Sequence, residues 1–356
     1  SSCDLAGFYL ALPTAATSNQ MYDRFSSFLN VHDTSGNQSV RLVHGTAWMQ
    51  DPATPTYEPN IESSAENDLQ DFDWFQPKKR SLLAPFGVGT IDQALMSVLH
   101  VRFGFLRLFG LAGKVLVIDE VHAYDAYMSA ILELLLKWCN AIKLPVIMLS
   151  ATLPAGKRAT LVNSFSEGAK KELACFDALA PYPLLTFVSF DGDVKKEPIA
   201  PSSRKVRIFL QKEQGILEDY QAIASIVTER ATHGGCHCVI MNTVDAAQKV
   251  YQIIKRIHTE KGIRDVQVLL FHSRFRAKRR QEIEKRALAW FGKQSLSENP
   301  DEFIERPTKA ILVATQVVEQ SLDLDFDEMY SQIAPIDLLL QRVGRLHRHD
   351  RKTRPT

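Results

Sequence analysis

The chain has 356 residues, of which 45% are hydrophobic and 23% charged, and its net charge is +1. That balance belongs to a globular protein with room for two ordinary domains. It excludes a bilayer-spanning helix, because no apolar run is long enough, and it excludes a uniformly basic surface, so any footprint on a polyanion must be local. The cysteines are Cys3, Cys139, Cys175, Cys236 and Cys238. Cys236-His-Cys238 has no second ligand pair at zinc spacing, so it reads as the start of a buried strand. With no secretory signal in view, a reduced, cytoplasmic protein fits best. Ser1 is not Met, and a strong motif lies just before Thr356, which reads as a piece of a longer protein.

In chain order, Gly7-Phe-Tyr-Leu-Ala-Leu12 is a buried strand. Pro13 to Asn19 follow it, and a helix starts near Gln20. Small hydroxyl residues before a helix leave free N–H groups that can seat a phosphate; plain N-capping explains them equally well. Val40 to Val43 is a strand. Residues 50 to 72 are polar and rich in proline, a surface loop, and Lys78-Lys-Arg80 is a small basic turn. Ser81 to Thr90 is strand-like and ends in Gly89-Thr90, with a helix opening at Asp92-Gln93.

Val115-Leu-Val-Ile118 is a buried parallel strand, and Asp119 and Glu120 stand where it emerges. Ligands of open α/β sheets bind at the carboxyl ends of strands. Adjacent acids there suit a magnesium ion at Asp119 and a water activated by Glu120. An ordinary strand-to-helix turn, with Asp119 as its N-cap, is the plain alternative. A helix over 126–142 leads to a second buried strand, 144–149, whose tip is Ser150-Ala-Thr152. One crossover helix between the two strands makes them sheet neighbours, so Ser150 or Thr152 can reach His122 or Glu120.

Residues 191–204 are rich in proline, serine and charge and mark a linker. Strand and helix alternate again beyond it. Strands are expected over 205–210, 236–241, 266–271 and 309–314, and helices over 216–232 and 244–258, which predicts a second α/β domain. The strand over 266–271 ends at His272-Ser-Arg274. Arg274, Arg276, Lys278, Arg279 and Arg280 place five cations in seven residues, read as a solvated helix face or a phosphate contact. The strand over 309–314 ends at Thr315-Gln316. Pro335 to Arg348 reads as one helix with Gln341, Arg345 and Arg348 at i, i+4 and i+7, on one face. Gly344 within it costs about 1 kcal/mol relative to alanine and suggests close approach of another surface.

Four segments together, Asp119-Glu-Val-His-Ala-Tyr-Asp125, Ser150-Ala-Thr-Leu-Pro154, Ala314-Thr-Gln-Val-Val-Glu-Gln-Ser-Leu-Asp323 and Gln341-Arg-Val-Gly-Arg-Leu-His-Arg-His349, resemble a superfamily 2 helicase core. More closely, they resemble the helicase part of the type I CRISPR-associated helicase-nuclease, most of all its type I-E branch, over nearly the whole chain. The resemblance implies an α/β fold of two RecA-like domains, here residues 1–190 and 205–356. It implies ATP and magnesium as cofactors, with Asp119 on the metal and Glu120 as the base. His122, Ser150 and Thr152 would couple hydrolysis to movement. Asp323 would lie near the ribose, Arg345 and Arg348 would be arginine fingers, and Gln341 would position water or phosphate. Pro13, Thr14, Gly89, Thr90, Ser273 and Thr315 would grip a single-stranded DNA backbone without reading its bases. An RNA-guided surveillance complex of a type I CRISPR system would recruit the motor, and guide pairing would supply its sequence specificity.

The chain departs from that family's pattern: it holds no Gly-x-x-x-x-Gly-Lys-Ser/Thr loop, and the family's nuclease domain and the segments after its arginine helix are expected to lie outside this piece. The nest and lysine that hold the β- and γ-phosphates would have to come from elsewhere, so the chain alone is expected to have little ATPase activity. The competing readings are a superfamily 2 helicase acting on RNA and a catalytically silent nucleic-acid-binding or interaction module.

Overall fold

The computed structural model describes residues 6–32, 40–43, 81–167, 182–200, 206–212, 215, 218–292, 306–319, 322–351 and 354. The expected loop over 50–72 and the basic turn at 78–80 lie outside these residues. The chain divides into two compact units, Ser1–Ser203 and Arg204–Thr356.

In the first unit, five parallel strands lie in the order β2-β3-β1-β4-β5: β1 Phe8–Leu12, β2 Val40–Val43, β3 Phe86–Thr90, β4 Val115–Ile118 and β5 Val146–Met148. Ala11 pairs with Ile118, and Ile118 with Met148, so the ends of β1, β4 and β5 are level. The described helices of this unit are α1 Ala15–His32, α2 Ile91–Leu95, α3 Gly104–Leu111, α4 Ala126–Ala141 and α5 Ala155–Ser166. On one face Leu116 and Ile118 pack with Leu132, Leu135, Leu136 and Cys139 of α4. On the other, Leu10, Leu12, Val40 and Val88 pack against Met21 and Phe25 of α1. Strands buried on both faces read as continuous apolar runs, which is why Val115–Ile118 shows no alternation in sequence. Truncating a core leucine of this kind costs about 2–5 kcal/mol.

The first helix begins at Ala15, earlier than the sequence suggested, because Thr14 caps it. The Ser18 N–H and hydroxyl both bond the Thr14 carbonyl, at 3.1 and 2.9 Å. Part of the stretch expected to be a linker is a strand. β6 Leu184–Val188 and β7 Val194–Pro198 form an antiparallel hairpin. Its turn closes through Gly192, whose φ of 85° an L side chain tolerates poorly, and through an Asp193 N–H bond to the Ser189 hydroxyl at 2.9 Å.

The second unit is a parallel sheet in the order β11-β8-β10-β9, with β8 Gly235–Ile240, β9 Gln267–Phe271, β10 Lys309–Ala314 and β11 Glu328–Ser331. Helices α6 Tyr220–His233 and α7 Val244–Lys261 cover one face, where Val239, Ile311 and Val313 meet Ile223, Val227 and Val250. The helix α8 Ala277–Phe291 covers the other, where Cys236, Cys238 and Leu312 meet Ile283 and Phe291. The two thiols are therefore core side chains, and burial pushes that of Cys236 up to about 12. Asp219 caps α6 through the N–H groups of Gln221 and Ala222, and Thr243 caps α7 through that of Ala246.

Two expectations fail in this unit. Residues 206–210 form no strand, and Phe209 and Leu210 are each 88% exposed, so apolar content alone misled there. The helix expected over 335–348 is α9 Ile336–Val343 and stops at Gly344. A Cβ built on Gly344 would meet only Gln341 and Leu340 carbonyls of its own helix, at 3.4 Å. Among the described residues the glycine marks the helix end, and no other surface approaches it. Each unit is a parallel sheet clothed by helices on both faces, the RecA-like α/β arrangement.

Candidate active site

The end of β4 is built by its neighbours. Asp119 donates its N–H to the Ala11 carbonyl of β1 at 3.0 Å, and Val121 donates to the Leu149 carbonyl beyond β5 at 3.2 Å. Between them Glu120 adopts φ 53°, ψ 43°, a left-handed conformation that costs a non-glycine residue of order 1–3 kcal/mol. An Asp119 carboxylate oxygen accepts the Glu120 N–H at 2.9 Å, and the Tyr124 hydroxyl donates to the Asp119 carbonyl at 3.0 Å. The turn thus holds both acids at the strand tip. Asp125 then caps α4 through the Met128 N–H at 2.8 Å. The plain capping role belongs to Asp125, which leaves Asp119 without that explanation.

His122 joins this tip to the next. Its Nε2 lies 3.2 Å from Glu120 Oε2 and its Nδ1 2.9 Å from the Ser150 hydroxyl. The ring can donate from Nε2 to the Glu120 carboxylate, and its Nδ1 meets the Ser150 hydroxyl, whose single proton the Thr152 carbonyl also attracts. The His122 side chain is 4% exposed and that of Glu120 41%, so the ring is fixed while the carboxylate can reach a ligand. The Ser150 hydroxyl also lies 3.2 Å from the Thr152 carbonyl, and the Thr152 hydroxyl is buried with no hydrogen bond among the described residues. The structure therefore brings Asp119, Glu120, His122, Ser150 and Thr152 together.

The residues expected to grip a nucleic-acid backbone are spread over several tips. The Thr14 hydroxyl lies 2.7 Å from that of Thr17, inside the capping turn, and Pro13 precedes it. Thr90 is buried, and its carbonyl accepts the Tyr9 hydroxyl at 3.0 Å. Gly89 has a packing reason to be glycine: a Cβ there would sit 2.0 Å from the Val43 carbonyl oxygen of β2. In the second unit Ser273 is exposed after β9, beside His272, whose ring stacks on Phe275 at 4.1 Å. Thr315, at the end of β10, is 1% exposed, with its hydroxyl buried and unbonded among the described residues.

The arginine segment does not present one helical face. After Gly344 the chain turns and runs beside Phe326, which donates to the Arg345 carbonyl at 2.9 Å and accepts from the His347 N–H at 3.0 Å. Gln341 remains on α9, whereas Arg345 and Arg348 lie beyond it and are held separately. Arg345 Nη2 donates to the Glu319 carbonyl at 2.9 Å, and Arg348 Nε donates to Asp323 at 2.5 Å.

Sequence reasoning missed the side chains that hold this segment. Arg342 is buried; it donates to Glu319 Oε1 at 2.7 Å, the Ser331 hydroxyl at 2.6 Å and the Gln332 carbonyl at 2.8 Å. Asp325 is fully buried; it accepts the Arg348 N–H at 2.8 Å and pairs with Arg351 and Arg354, with Arg306 at 3.5 Å. Asp327 takes Arg354 at 2.6 Å and Arg306 at 3.2 Å. The signal was present: acids at 323, 325 and 327 alternate with Leu322, Leu324 and Phe326, and arginines recur every third residue from Arg342 to Arg354. Two chemically matched periodic runs are worth pairing even where neither is a known motif.

Two clothed parallel sheets, an acid pair joined through histidine to a serine tip in one unit, and an arginine segment beyond a threonine tip in the other, define a superfamily 2 helicase core. A model of the CRISPR-associated nuclease/helicase Cas3 C-terminal family matches residues 233–351. The chain is also 36% identical over 388 residues to a CRISPR-associated endonuclease/helicase Cas3 of Thermus thermophilus, a match covering 97% of this chain and 40% of that protein. The chain belongs to the Cas3 family, as a stretch of its helicase region. It spans about two fifths of the curated relatives' length. Among solved structures, T. fusca Cas3-ATP aligns with a TM-score of 0.77 at 39% identity, over 96% of this chain and 38% of that one. A chain of a CRISPR RNA-guided surveillance complex, pre-nicking, aligns with a TM-score of 0.63 at 34% identity, over 98% and 40%.

Proposed function

We propose that this chain is the motor portion of an ATP-dependent single-stranded DNA helicase that acts in CRISPR interference. The observation that carries the reading is the Asp119–Glu120–His122–Ser150 constellation, in which a strained strand tip holds one carboxylate ready for a ligand and ties the turn to the next strand. The relatives support the ligand classes: T. fusca Cas3 has been solved with ATP, ADP and AMPPNP, and a similar chain sits in an RNA-guided surveillance complex. The buried free thiols of Cys139, Cys236 and Cys238 suit a reducing compartment such as the cytoplasm. Among the described residues, no helix is long and apolar enough to cross a membrane.

Two neighbouring carboxylates at an accessible tip fit magnesium, which takes one or two protein oxygens and completes its shell with phosphate and water. Asp119 would hold the ion, which when bound neutralises charge on the phosphates. Glu120 orients the attacking water and accepts its proton, while the His122 Nε2–H keeps that carboxylate aimed. Arg345 and Arg348 stabilise the charge that develops on the transferred phosphoryl group, for which Arg348 must exchange Asp323 for phosphate. Asp323, released, is free to meet the ribose, and Gln341 positions water or phosphate. Pro13, Thr14, Gly89, Thr90, Ser273 and Thr315 contribute the tips that track the strand backbone.

Because the chain itself holds no phosphate loop, it hydrolyses ATP slowly by itself, and the whole protein is the object to assay. Single-stranded DNA should stimulate its ATPase more than single-stranded RNA does, and Glu120→Gln should lower kcat about 10²- to 10⁴-fold while ATP still binds. Stimulation by RNA alone, or an unaffected Glu120→Gln variant, refutes the reading.

A further inference from the structure

The second unit contains an ion pair that the motor reading does not use. Glu319 and Arg342 are 4% and 3% exposed, and each is surrounded by protein. A buried pair of this kind contributes little net stability, because desolvation offsets the attraction. Its geometry is more informative. Glu319 closes the short 3-10 turn Gln316–Val318, which follows directly on Thr315, and its N–H bonds the Gln316 carbonyl at 3.0 Å. Its carboxylate receives Arg342 Nε at 2.7 Å, and its own carbonyl receives Arg345 Nη2 at 2.9 Å. Arg342 at the same time grips the Ser331 hydroxyl and the Gln332 carbonyl, at the end of β11. One residue thus touches both arginines, four positions from the threonine at the β10 tip.

We propose that Glu319 and Arg342 are positioning residues that relay the state of the Thr315 tip to Arg345. The inference rests on the motor reading and deepens it. A backbone held at Thr315 sets the orientation of the 3-10 turn, the turn sets the Glu319 carbonyl, and that carbonyl sets the guanidinium of Arg345. Arg342 is the fixed end of the lever: its planar fork binds a carboxylate, a hydroxyl and a carbonyl at once, which a lysine ammonium on a flexible stem cannot reproduce. Displacement of a catalytic group by about 1 Å can cost about 10²-fold in rate, so a small rotation of this turn is enough to switch hydrolysis.

The test uses the whole protein and four variants: Glu319→Met, Arg342→Met, the double Glu319→Met/Arg342→Met, and Arg342→Lys. Each single methionine variant strands a buried charge and should melt at lower temperature, whereas the double variant should recover most of the loss. The double variant should nevertheless show a DNA-stimulated kcat lower by about 10²-fold. Its KM for ATP should stay within about threefold, because ground-state binding is untouched. Arg342→Lys keeps the charge pairing and should show the same kcat loss, so it carries the test should the double variant fail to fold. Wild-type kcat in a folded double variant, or in Arg342→Lys, overturns the proposal and leaves the motor reading standing. A wild-type protein with no DNA-stimulated hydrolysis overturns the motor reading and this inference with it.

Discussion

Arg348 and Asp323 face each other in the second unit, with the guanidinium Nε donating to Oδ1 at 2.5 Å. One is proposed to act at the transferred phosphate and the other at the ribose, and in the structure the two side chains satisfy each other. Their side chains are 44% and 35% exposed, and solvent screens the pair.

A pair so exposed is worth about 0–1 kcal/mol. Arg348→Ala should therefore leave the thermal midpoint nearly unchanged, while the proposed arginine-finger role predicts that kcat of the whole protein falls about 10³- to 10⁵-fold. A melting experiment beside an ATPase assay separates the two effects. A large loss of stability with modest loss of rate would assign Arg348 a structural role.

Ser150→Ala removes the hydroxyl 2.9 Å from His122 Nδ1 and so breaks that hydrogen bond. The expected stability cost is about 0.5–1.5 kcal/mol. Because the bond joins the tips of β4 and β5, hydrolysis should continue while strand movement per ATP falls. Simultaneous assays of phosphate release and strand displacement would read the uncoupling; equal loss of both would argue against it.

Asp325 gives the second unit a defined acid sensitivity. Burial pushes its carboxyl up, but the hydrogen bonds from Arg351 and Arg354, with the charges of Arg354 and Arg306, outweigh burial and hold it below the ordinary value of 3.8. A carboxylate depressed in the folded state adds stability that is fully present above its unfolded value and is lost as the pH falls through its folded value. Denaturant midpoints should therefore drop below about pH 4, and Asp325→Asn should flatten that dependence. The variant should also lose about 3–5 kcal/mol at neutral pH, since Arg351 loses its carboxylate and Arg306 and Arg354 are left to share Asp327. Unchanged acid sensitivity in Asp325→Asn would show that other carboxylates dominate.

Gly89→Ala tests packing against nucleic-acid contact. The added methyl would meet the Val43 carbonyl oxygen at 2.0 Å and the Tyr9 hydroxyl at 2.6 Å. Forcing a methyl into such a space costs about 1–3 kcal/mol or more. The first unit of Gly89→Ala should unfold at lower denaturant whether or not DNA is present. An unaltered midpoint with weakened DNA binding would restore the backbone-grip role alone.

The main elements were legible because parallel strands buried on both faces are written as apolar runs. Val115–Ile118 and Lys309–Ala314 stand out for that reason, as do the acids and hydroxyls that follow strand tips. Residues 206–210 show the limit: an alternation of Val206, Ile208 and Leu210 resembles a strand, but among the described residues it joins no sheet. The helix at Ile336 shows another. Its periodicity continues past Gly344, yet Phe326 captures the Arg345 carbonyl and ends it.

By itself the amino-acid order pointed to the class of chemistry, since a carboxylate pair after an apolar strand and arginines after a short helix are local facts of composition and spacing. Only the tertiary structure decided what those groups touch. The His122 ring binds Ser150 because β4 and β5 are neighbours, and Arg342 meets Glu319 because β10 and β11 deliver two distant turns to one place. Hydrogen bonds and buried charges act over about 3 Å, and separation along the chain carries no record of which groups folding will bring within that reach.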